Sequence, residues 1–193
     1  MNKYHVIYAD PPWETKAGRP LSGYKLQEGK QLFAPISNKS RNLSYPTLSI
    51  EEIKELPVRN IAADNAHLYL WVTNQYLLEA KEVIKAWGFK YSTSIIWSKT
   101  PMGGCLGGAF GISHEILLFC RRGKLATKCR IKGTVHHVKR NYINGKPCHS
   151  KKPEYFAQLI EKVSPGPYVE LFARSERKGW HKWGNEVECD VIL

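Results

Sequence analysis

The chain has 193 residues, 42% of them hydrophobic, and a formal net charge of +12. This length predicts a single domain, residues 1–193, that is large enough to bury a hydrophobic core. The sequence shows no signal-peptide pattern and no apolar run long enough to cross a bilayer, so we expect a cytoplasmic protein without a membrane partner. The charge excludes an acidic protein and points to a polyanionic partner.

The first predicted element is a short buried strand, residues 4–9, followed at once by Asp10-Pro11-Pro12-Trp13. In open α/β sheets, ligands bind at the carboxyl ends of the strands. Each proline has a fixed φ and no N–H group, so we expect two carbonyl oxygens without a local donor that competes for them. A carboxylate, a carbonyl oxygen and an aromatic face suit a planar group that carries an amine. The alternative is an ordinary Asp-Pro turn beside a core tryptophan.

The rest of the chain alternates between helix and strand. Residues 14–44 show little periodicity and predict a long loop. The next predicted elements are a helix opened by a capping box at Ser49, a strand over 67–73, a helix over 74–87, and strands over 91–98 and 114–120. A second long loop, 121–151, precedes a helix from Pro153 to about Val163 and strands over 168–172 and 179–183. This order predicts an α/β fold, a mostly parallel sheet with helices on both faces.

The positive charge is concentrated in residues 121–152, which contain eleven lysines and arginines and no acidic residue. Such a segment predicts contact with the phosphate backbone of a nucleic acid. The alternative is a solvated basic loop without a partner. The residues expected to contact nucleic acid are Tyr45, Lys99, Arg121, Arg122, Lys128, Arg130, Lys132, Lys139 and Arg140, with Tyr24 and Tyr142 as further stacking candidates.

The same segment contains a group of metal-binding residue types, namely Cys129, His136, His137, Cys148 and His149. Their spacing fits no common structural zinc site, so we predict no metal. The five cysteines of the chain form no closely spaced pair and leave one unpaired, which argues against a secreted disulfide framework. Reduced thiols are the expected state.

Eight short blocks occur in one order along nearly the whole chain. They are residues 10–13, 44–49, 68–73, 95–99, 150–154, 164–166, 170–174 and 183–186. In this series the chain resembles the MT-A70 family of S-adenosylmethionine-dependent N6-adenine methyltransferases, which includes the eukaryotic mRNA adenosine methyltransferase and bacterial and phage DNA enzymes. The resemblance implies a Rossmann-like methyltransferase fold with a permuted motif order, in which the catalytic motif is N-terminal and the cofactor strand C-terminal.

The resemblance also implies roles for individual residues. The catalytic set is Asp10, Pro11, Pro12 and Trp13, in which Asp10 and the Pro11 carbonyl hold the target amine and Trp13 packs on the ring. The implied cofactor is S-adenosylmethionine, bound by Asp10, Lys152, Glu170, Phe172, Arg174, Asn185 and Glu186. Within this set, Lys152 meets the methionine carboxylate, while Arg174, Asn185 and Glu186 surround the ribose.

The chain departs from the family pattern at two points. Ser175-Glu176-Arg177 stands where eukaryotic members have a His-Asn pair, and almost nothing precedes the first strand to supply the aspartate that some members use to hold the cofactor's adenine. Asp190 is a candidate replacement for that aspartate. The alternative for Asp190 is a solvated residue near the C-terminus.

The substrate implied by the resemblance is nucleic acid, with DNA favoured over RNA because a chain without additional domains looks like the bacterial and phage members. We therefore expect a bacterial or phage-encoded enzyme of the cytoplasm, a monomer or homodimer, with loose sequence specificity. One alternative is a cytosine-N4 methyltransferase of the same fold. Another is a catalytically silent, nucleic-acid-binding partner subunit.

Overall fold

The computed structural model describes residues 3–14, 47–99, 110–140, 142–143, 146–147 and 151–193. The strands in these ranges are β1 (Tyr4–Ala9), β2 (Ala62–Val72), β3 (Lys90–Lys99), β4 (His114–Arg122), β5 (Val135–Val138), β6 (Tyr142–Ile143), β7 (Lys146–Pro147), β8 (Tyr168–Leu171) and β9 (Trp180–Trp183). The α-helices are α1 (Ile50–Glu55), α2 (Val58–Ile61), α3 (Ala80–Ala86) and α4 (Glu154–Val163). Among the described residues no helix is long and apolar enough to span a membrane.

Seven strands form one sheet in the order β5-β3-β4-β2-β1-β8-β9. Six of them run in one direction, and β4 is antiparallel to both of its neighbours. The carboxyl ends of six strands and the amino end of β4 therefore share one edge of the sheet. We term this row of strand ends, not an outermost strand, the carboxyl edge; it includes Asp10, Lys99, Glu115 and Phe172. The opposite row of strand ends is the amino edge, and His67, Lys90 and Arg121 lie toward it.

Alternating strand side chains build a core on each face of the sheet. On one face, residues such as Ile7 and Leu68 pack with Ile53 of α1 and Val83 of α3. On the other face, Trp71 and neighbouring aromatic residues pack with the apolar stripe of α4, formed by Phe156, Ala157, Leu159 and Ile160. A mostly parallel sheet with helices on both faces confirms the predicted α/β methyltransferase-type architecture.

Several element boundaries differ from the prediction. The capping box at Ser49 is confirmed, because its hydroxyl accepts from the Glu52 N–H and the Glu52 carboxylate accepts from the Ser49 N–H. The predicted helix over 74–87 is wrong in its first half, where a 3₁₀ turn, Asn74–Tyr76, precedes an α3 that has no side-chain cap. Strand β2 begins at Ala62, five residues before its predicted start, and its pairing with β1 shifts register between Ala62 and His67.

The two predicted loops have different outcomes. The loop over 14–44 lies almost entirely outside the described residues, as do Tyr24 and Tyr45. Within the loop predicted over 121–151, β5 adds to the sheet parallel to β3, and β6 pairs with β7. The indole N–H of Trp97 donates to the Val138 carbonyl at 2.8 Å and thereby attaches the end of β5 to β3. The single-domain organisation stays a prediction.

Candidate active site

The turn after β1 is fixed by backbone hydrogen bonds. The Trp13 N–H donates to the Pro11 carbonyl at 2.8 Å, and the Leu48 N–H donates to the Pro12 carbonyl at 2.9 Å. The expectation that these carbonyls have no local donor is therefore wrong, because each already accepts one N–H. A carbonyl oxygen has two lone pairs, so the Pro11 oxygen keeps the capacity for one further hydrogen bond.

Trp13 is buried, with 6% of its surface exposed. Its indole N–H donates to the Trp71 carbonyl at 2.9 Å, and its ring stacks on Tyr76 with centroids 5.5 Å apart. One face of the indole is thus already covered, which corrects the expectation of a ring that is open to a base. The alternative of a core tryptophan describes its position, and Trp13 holds the proline turn in place.

Four charged side chains contact one another along the carboxyl edge, and their charges alternate in sign. In order of contact they are Asp10, Lys152, Glu115 and Lys99, and we term them the edge network. The Lys152 Nζ lies 2.7 Å from the Asp10 Oδ2 and 3.3 Å from the Glu115 Oε2. The other carboxylate oxygen of Glu115 pairs with Lys99. Lys152 also lies over the Trp71 ring, 5.2 Å from its centroid, so an aromatic floor and two carboxylates fix one ammonium group.

Burial and charge act against each other in the edge network. Burial raises the pKa of the Asp10 carboxyl above its usual value, and the Lys152 ammonium opposes that rise. Burial also favours the neutral form of Glu115, but Lys152 and Lys99 outweigh it and lower the pKa of Glu115. Burial disfavours the charged form of Lys152, yet Asp10 and Glu115 raise its pKa above the usual value. Asp10 is thus the carboxylate of the network with the increased proton affinity.

Sequence reasoning missed Glu115. It lies in a strand that was predicted only as a core element, and a parallel direction would have placed its amino end at the far edge. The antiparallel direction of β4 brings Glu115 to the carboxyl edge instead. The available signal was a polar pair, His114 and Glu115, directly before an apolar run.

The ends of β8 and β9 form the neighbouring part of the carboxyl edge. Phe172, predicted as the last residue of a strand, follows β8 with a φ of 62° and packs its ring edge-on against Trp183. Non-glycine residues with positive φ store backbone strain and cluster at functional sites. Gly184 lies so close to this turn that a Cβ atom would stand 2.4 Å from the Ala173 carbonyl oxygen. The two strand ends therefore approach with backbone against backbone.

The predicted cofactor residues fall into two groups. The Arg174 Nε lies 3.5 Å from the Glu186 Oε1, and exposed Asn185 follows Gly184 beside this pair. The Glu170 carboxylate instead accepts two N–H bonds from Arg177, at 3.1 and 3.2 Å. Burial raises the pKa of Glu170, and Arg177 opposes that rise. Arg174, Asn185 and Glu186 therefore lie at the edge, whereas the Glu170 carboxylate is engaged within the protein.

The basic residues predicted to contact nucleic acid are divided between the two edges. Lys139 and Arg140 follow β5, whose last residue pairs with Lys99, so they lie at the carboxyl edge. Arg140 has a buried Nε without a hydrogen-bond partner among the described residues. Exposed Arg130 and Lys132 precede β5.

Arg121 and Arg122 lie at the amino edge because β4 is reversed. Arg121 pairs with His67, which aligns with Val6, four residues before Asp10 and therefore about 13 Å along the strand. Lys128 donates from its Nζ to the Glu161 carbonyl and from its backbone N–H to Val163, at the end of α4. The structure does not bring Arg121, Arg122 and Lys128 to the Asp10 turn.

Two other predictions concern metal binding and Asp190. No three His, Cys, Asp or Glu side chains gather as a metal site in the described part of the chain. Cys129 donates its thiol to the Lys162 carbonyl and His136 bonds the Tyr155 hydroxyl, while Cys148 and His149 lie outside that part. Asp190 accepts the Lys182 N–H at 3.0 Å and pairs with the Lys182 ammonium. It is therefore bound along the outer side of β9, the last strand of the sheet.

The fold is an open α/β sheet whose charged side chains gather at the carboxyl edge, which is where sheets of this class bind their ligands. Comparison with protein families shows that the MT-A70 family matches residues 4–186. The chain therefore belongs to the MT-A70 family. This confirms the predicted class of enzyme, an S-adenosylmethionine-dependent N6-adenine methyltransferase.

Individual relatives agree with the family. The chain is 31% identical over 194 residues to the type II methyltransferase M.MunI of a Mycoplasma species, covering 98% of this chain and 80% of that protein. It is 28% identical to the human N(6)-adenine-specific methyltransferase METTL4 and 24% identical to the catalytic subunit METTL3 of the human N(6)-adenosine-methyltransferase. These matches cover 95% and 100% of this chain, but only 37% and 30% of the human proteins.

Proposed function

We propose that this chain transfers the methyl group of S-adenosylmethionine to the exocyclic N6 amine of adenine in DNA. The observation that carries the proposal is the contact between Asp10 and Lys152, which places a carboxylate, an ammonium and the Pro11 carbonyl together at the carboxyl edge. DNA is favoured over RNA because the chain is 31% identical to a type II methyltransferase but 24% identical to METTL3, an N(6)-adenosine-methyltransferase subunit. A bacterial or phage enzyme of the cytoplasm accords with that similarity.

The donor set at the edge fits the cofactor. S-adenosylmethionine carries a carboxylate, ribose hydroxyls and a sulfonium cation, and it supplies an electrophilic methyl group when bound. Lys152 offers a cation for the carboxylate, and Arg174, Asn185 and Glu186 offer donors and acceptors for the hydroxyls. The close backbone contact at Gly184 and the positive φ of Phe172 leave the ends of β8 and β9 tightly apposed beside these groups. Glu170 supports the site through Arg177, and its predicted direct contact with the cofactor is replaced by this supporting role.

The amine of the target base is held by Asp10 and the second lone pair of the Pro11 oxygen. An exocyclic amine is a poor nucleophile, since its lone pair is delocalised into the ring. Two acceptors that hold its N–H bonds favour the tetrahedral nitrogen, at which a bond to the methyl carbon would form as the carbon–sulfur bond breaks and a neutral thioether leaves. One proton of the methylated amine would then pass to the Asp10 carboxylate or to water. The negative charge of Asp10 also stabilises the positive charge that develops on this nitrogen. Trp13 contributes by fixing the turn, and Pro12 by accepting the Leu48 N–H.

Glu115 and Lys99 position the ammonium of Lys152. Lys152 has two carboxylate neighbours, and Glu115 is itself held by Lys99. These contacts fix the position of the Lys152 ammonium above the Trp71 ring. The ammonium therefore stays beside Asp10 before the carboxylate of the cofactor binds. Because Lys99 pairs with Glu115, we assign it to the edge network rather than to direct phosphate contact.

The base reaches the turn unpaired or flipped out of its stack, because its amine is inaccessible within a duplex. Lys139 and Arg140 lie at the same edge as Asp10, although β5 is four strands, or about 19 Å, from β1 across the sheet. Arg121 and Arg122 lie toward the amino edge and Lys128 beside the end of α4, so their side chains do not share the edge at which the base is held. The basic segment therefore contributes to substrate binding through its last part.

The test is transfer of a labelled methyl group to matched DNA and RNA, single-stranded and duplex, followed by nucleoside analysis. The expected product is N6-methyladenine in DNA, at a rate higher than in RNA of the same sequence. Methylcytosine would assign the enzyme to the cytosine-N4 class instead. Cofactor and nucleic-acid binding without any methylated product would indicate a silent partner subunit.

A further inference from the structure

An open apolar groove of about 660 Å³ lies beside α3, away from the edge network. Its surface is formed by Ile84, Phe89 and Leu118, with Leu77 and Leu78 along one side. Leu78 is 86% exposed, which is unusual for a leucine beside an apolar cavity. The volume lies within the range of about 300–1,000 Å³ that small-molecule sites occupy. The groove is therefore large enough to accept flat apolar groups.

Three lysines line this groove, namely Lys81, Lys85 and Lys90, and no acidic residue does. Among the described residues, none of the three has a carboxylate within ion-pair distance. Lys81 and Lys85 are one turn apart on α3, and like charges at this spacing repel each other. The groove thus combines an apolar surface with positive charge that the described protein does not neutralise.

Tyr91 adds an aromatic group to the same groove. It is 54% exposed, and its hydroxyl contacts the Ser94 hydroxyl at 3.0 Å, so the ring stays at the surface. A ring of this kind beside lysines is the combination with which proteins bind unpaired nucleic acid, because bases stack on aromatic groups while cations follow the phosphates. An acidic peptide would satisfy the lysines but would leave the aromatic face without a stacking partner.

We propose that this groove, termed the α3 groove, binds an unpaired stretch of nucleic acid outside the catalytic site. Leu118 of the groove packs in the core on the α3 face of the sheet, whereas Trp71, which lies under Lys152, packs in the core on the α4 face. Across the sheet, Leu118 aligns through Leu70 with Ala9, two strands or about 10 Å away. A segment in the α3 groove is therefore not the segment that presents its adenine to Asp10. A single strand must therefore pass around the end of the sheet to occupy both positions. The α3 groove retains a long strand while a distant base reacts.

The first experiment measures binding without catalysis. A fluorescent 30-nucleotide oligodeoxythymidylate contains no adenine, so its anisotropy titration without cofactor reports on binding and not on methyl transfer. The triple variant Lys81→Gln, Lys85→Gln, Lys90→Gln is compared with the control Lys3→Gln, Lys162→Gln, Lys178→Gln, which changes the net charge equally at exposed lysines elsewhere. We expect at least tenfold weaker binding for the groove variant and less than threefold for the control. Equal losses in both variants would overturn the proposal.

A second pair of measurements tests base stacking and substrate length. Tyr91→Ala should weaken binding of the oligodeoxythymidylate by threefold or more and leave binding of an abasic oligomer of the same length unchanged. The triple groove variant should raise the KM for a 30-nucleotide adenine-containing strand and leave kcat/KM for a 6-nucleotide strand unchanged. Equal effects of Tyr91→Ala on both oligomers would exclude base stacking and contradict the proposal. Competition by polyglutamate at equal charge would contradict it as well and would assign the α3 groove to acidic proteins. A chain that binds the strand at the groove but produces no methyladenine would contradict only the proposed function.

Discussion

The Nζ atom of Lys152 lies 2.7 Å from the Oδ2 atom of Asp10, and this contact joins two segments 142 residues apart in the sequence. Asp10 follows the first strand, and Lys152 precedes the helix that covers the opposite side of the site. The contact therefore depends on the tertiary packing that brings the end of β1 and the start of α4 together. It also couples the residue proposed to hold the target amine to the residue proposed to hold the cofactor carboxylate.

This coupling predicts a change in the pH dependence of catalysis. Burial raises the pKa of Asp10 and Lys152 counteracts it, so Lys152→Met should raise the pKa of Asp10 further. Because charged Asp10 is the proposed acceptor, the acidic limb of the kcat profile at saturating cofactor should move to higher pH. Lys182→Met, which breaks an ion pair with Asp190 at β9, is the control and should leave this limb in place. An acidic limb that stays fixed in Lys152→Met would exclude Asp10 as the titrating group.

The division of the basic residues predicts unequal effects of charge removal. Lys139→Gln with Arg140→Gln removes two cations at the carboxyl edge, and we expect at least a tenfold rise in the KM for a short adenine-containing oligonucleotide. Arg121→Gln with Lys124→Gln removes two cations at the amino edge and should change this KM less than threefold. Initial rates at constant salt measure both, since phosphate contacts depend strongly on ionic strength. A larger effect of the amino-edge pair would contradict the proposed path of the substrate.

The close approach of Gly184 to Ala173 predicts that backbone packing at the ends of β8 and β9 affects cofactor binding. Gly184→Ala introduces a Cβ atom 2.4 Å from the Ala173 carbonyl oxygen, so the ends of β8 and β9 must separate. Overpacking of this kind costs about 1–3 kcal/mol. We expect that loss in urea unfolding and a weaker cofactor affinity by calorimetric titration. Gly179→Ala, at a φ of 82° with open space around it, should destabilise the fold and leave cofactor affinity unchanged.

The burial of His67 predicts that the protein loses stability in mild acid. It is fully buried, its ring nitrogens contact the Ser164 hydroxyl and the Leu125 carbonyl, and burial lowers the pKa of His67 to about 4. In the unfolded chain its pKa is about 6.5, so between these values the unfolded state binds more protons and stability falls with falling pH. At about 1.4 kcal/mol per pKa unit, the loss amounts to about 3 kcal/mol.

The measurement for His67 is urea unfolding between pH 7 and pH 4. Wild type should lose stability across this window, and His67→Gln should be less stable at pH 7 with a much smaller slope. Burial also lowers the pKa of His136, which lies partly exposed, so a small slope remains. An unchanged slope in His67→Gln would show that other groups control acid sensitivity.

Much of the fold was predictable because local patterns agree with the global structure. The capping box at Ser49, the apolar stripe of α4 and the strand before Asp10 were each clear in the sequence. The direction of β4 was not predictable, because the sequence of an apolar strand does not indicate whether the strand runs parallel or antiparallel to its neighbours. The missed Glu115 and the position of Arg121 at the amino edge both follow from that one direction.

The catalytic turn shows a second kind of limit. The composition of Asp10-Pro11-Pro12-Trp13 correctly indicated a rigid turn at a strand end, but the hydrogen bond from Leu48 to Pro12 joins residues far apart in the sequence. Likewise, the stacking of Trp13 on Tyr76 depends on how the 3₁₀ turn packs on β2. Residue types defined the chemistry of the site, whereas tertiary contacts decided which groups remain available.

The most direct test of this account is methyl transfer by Asp10→Asn beside Asp64→Asn, a control that makes the same substitution at an exposed carboxylate paired with Arg122. Labelled S-adenosylmethionine and a single-stranded adenine-containing DNA are the substrates, and circular dichroism checks that both variants are folded. We predict that Asp10→Asn loses methyl transfer by at least a hundredfold, since the amide cannot stabilise the charge on nitrogen, while Asp64→Asn retains it. A folded Asp10→Asn protein that forms N6-methyladenine at the wild-type rate would contradict the central claim.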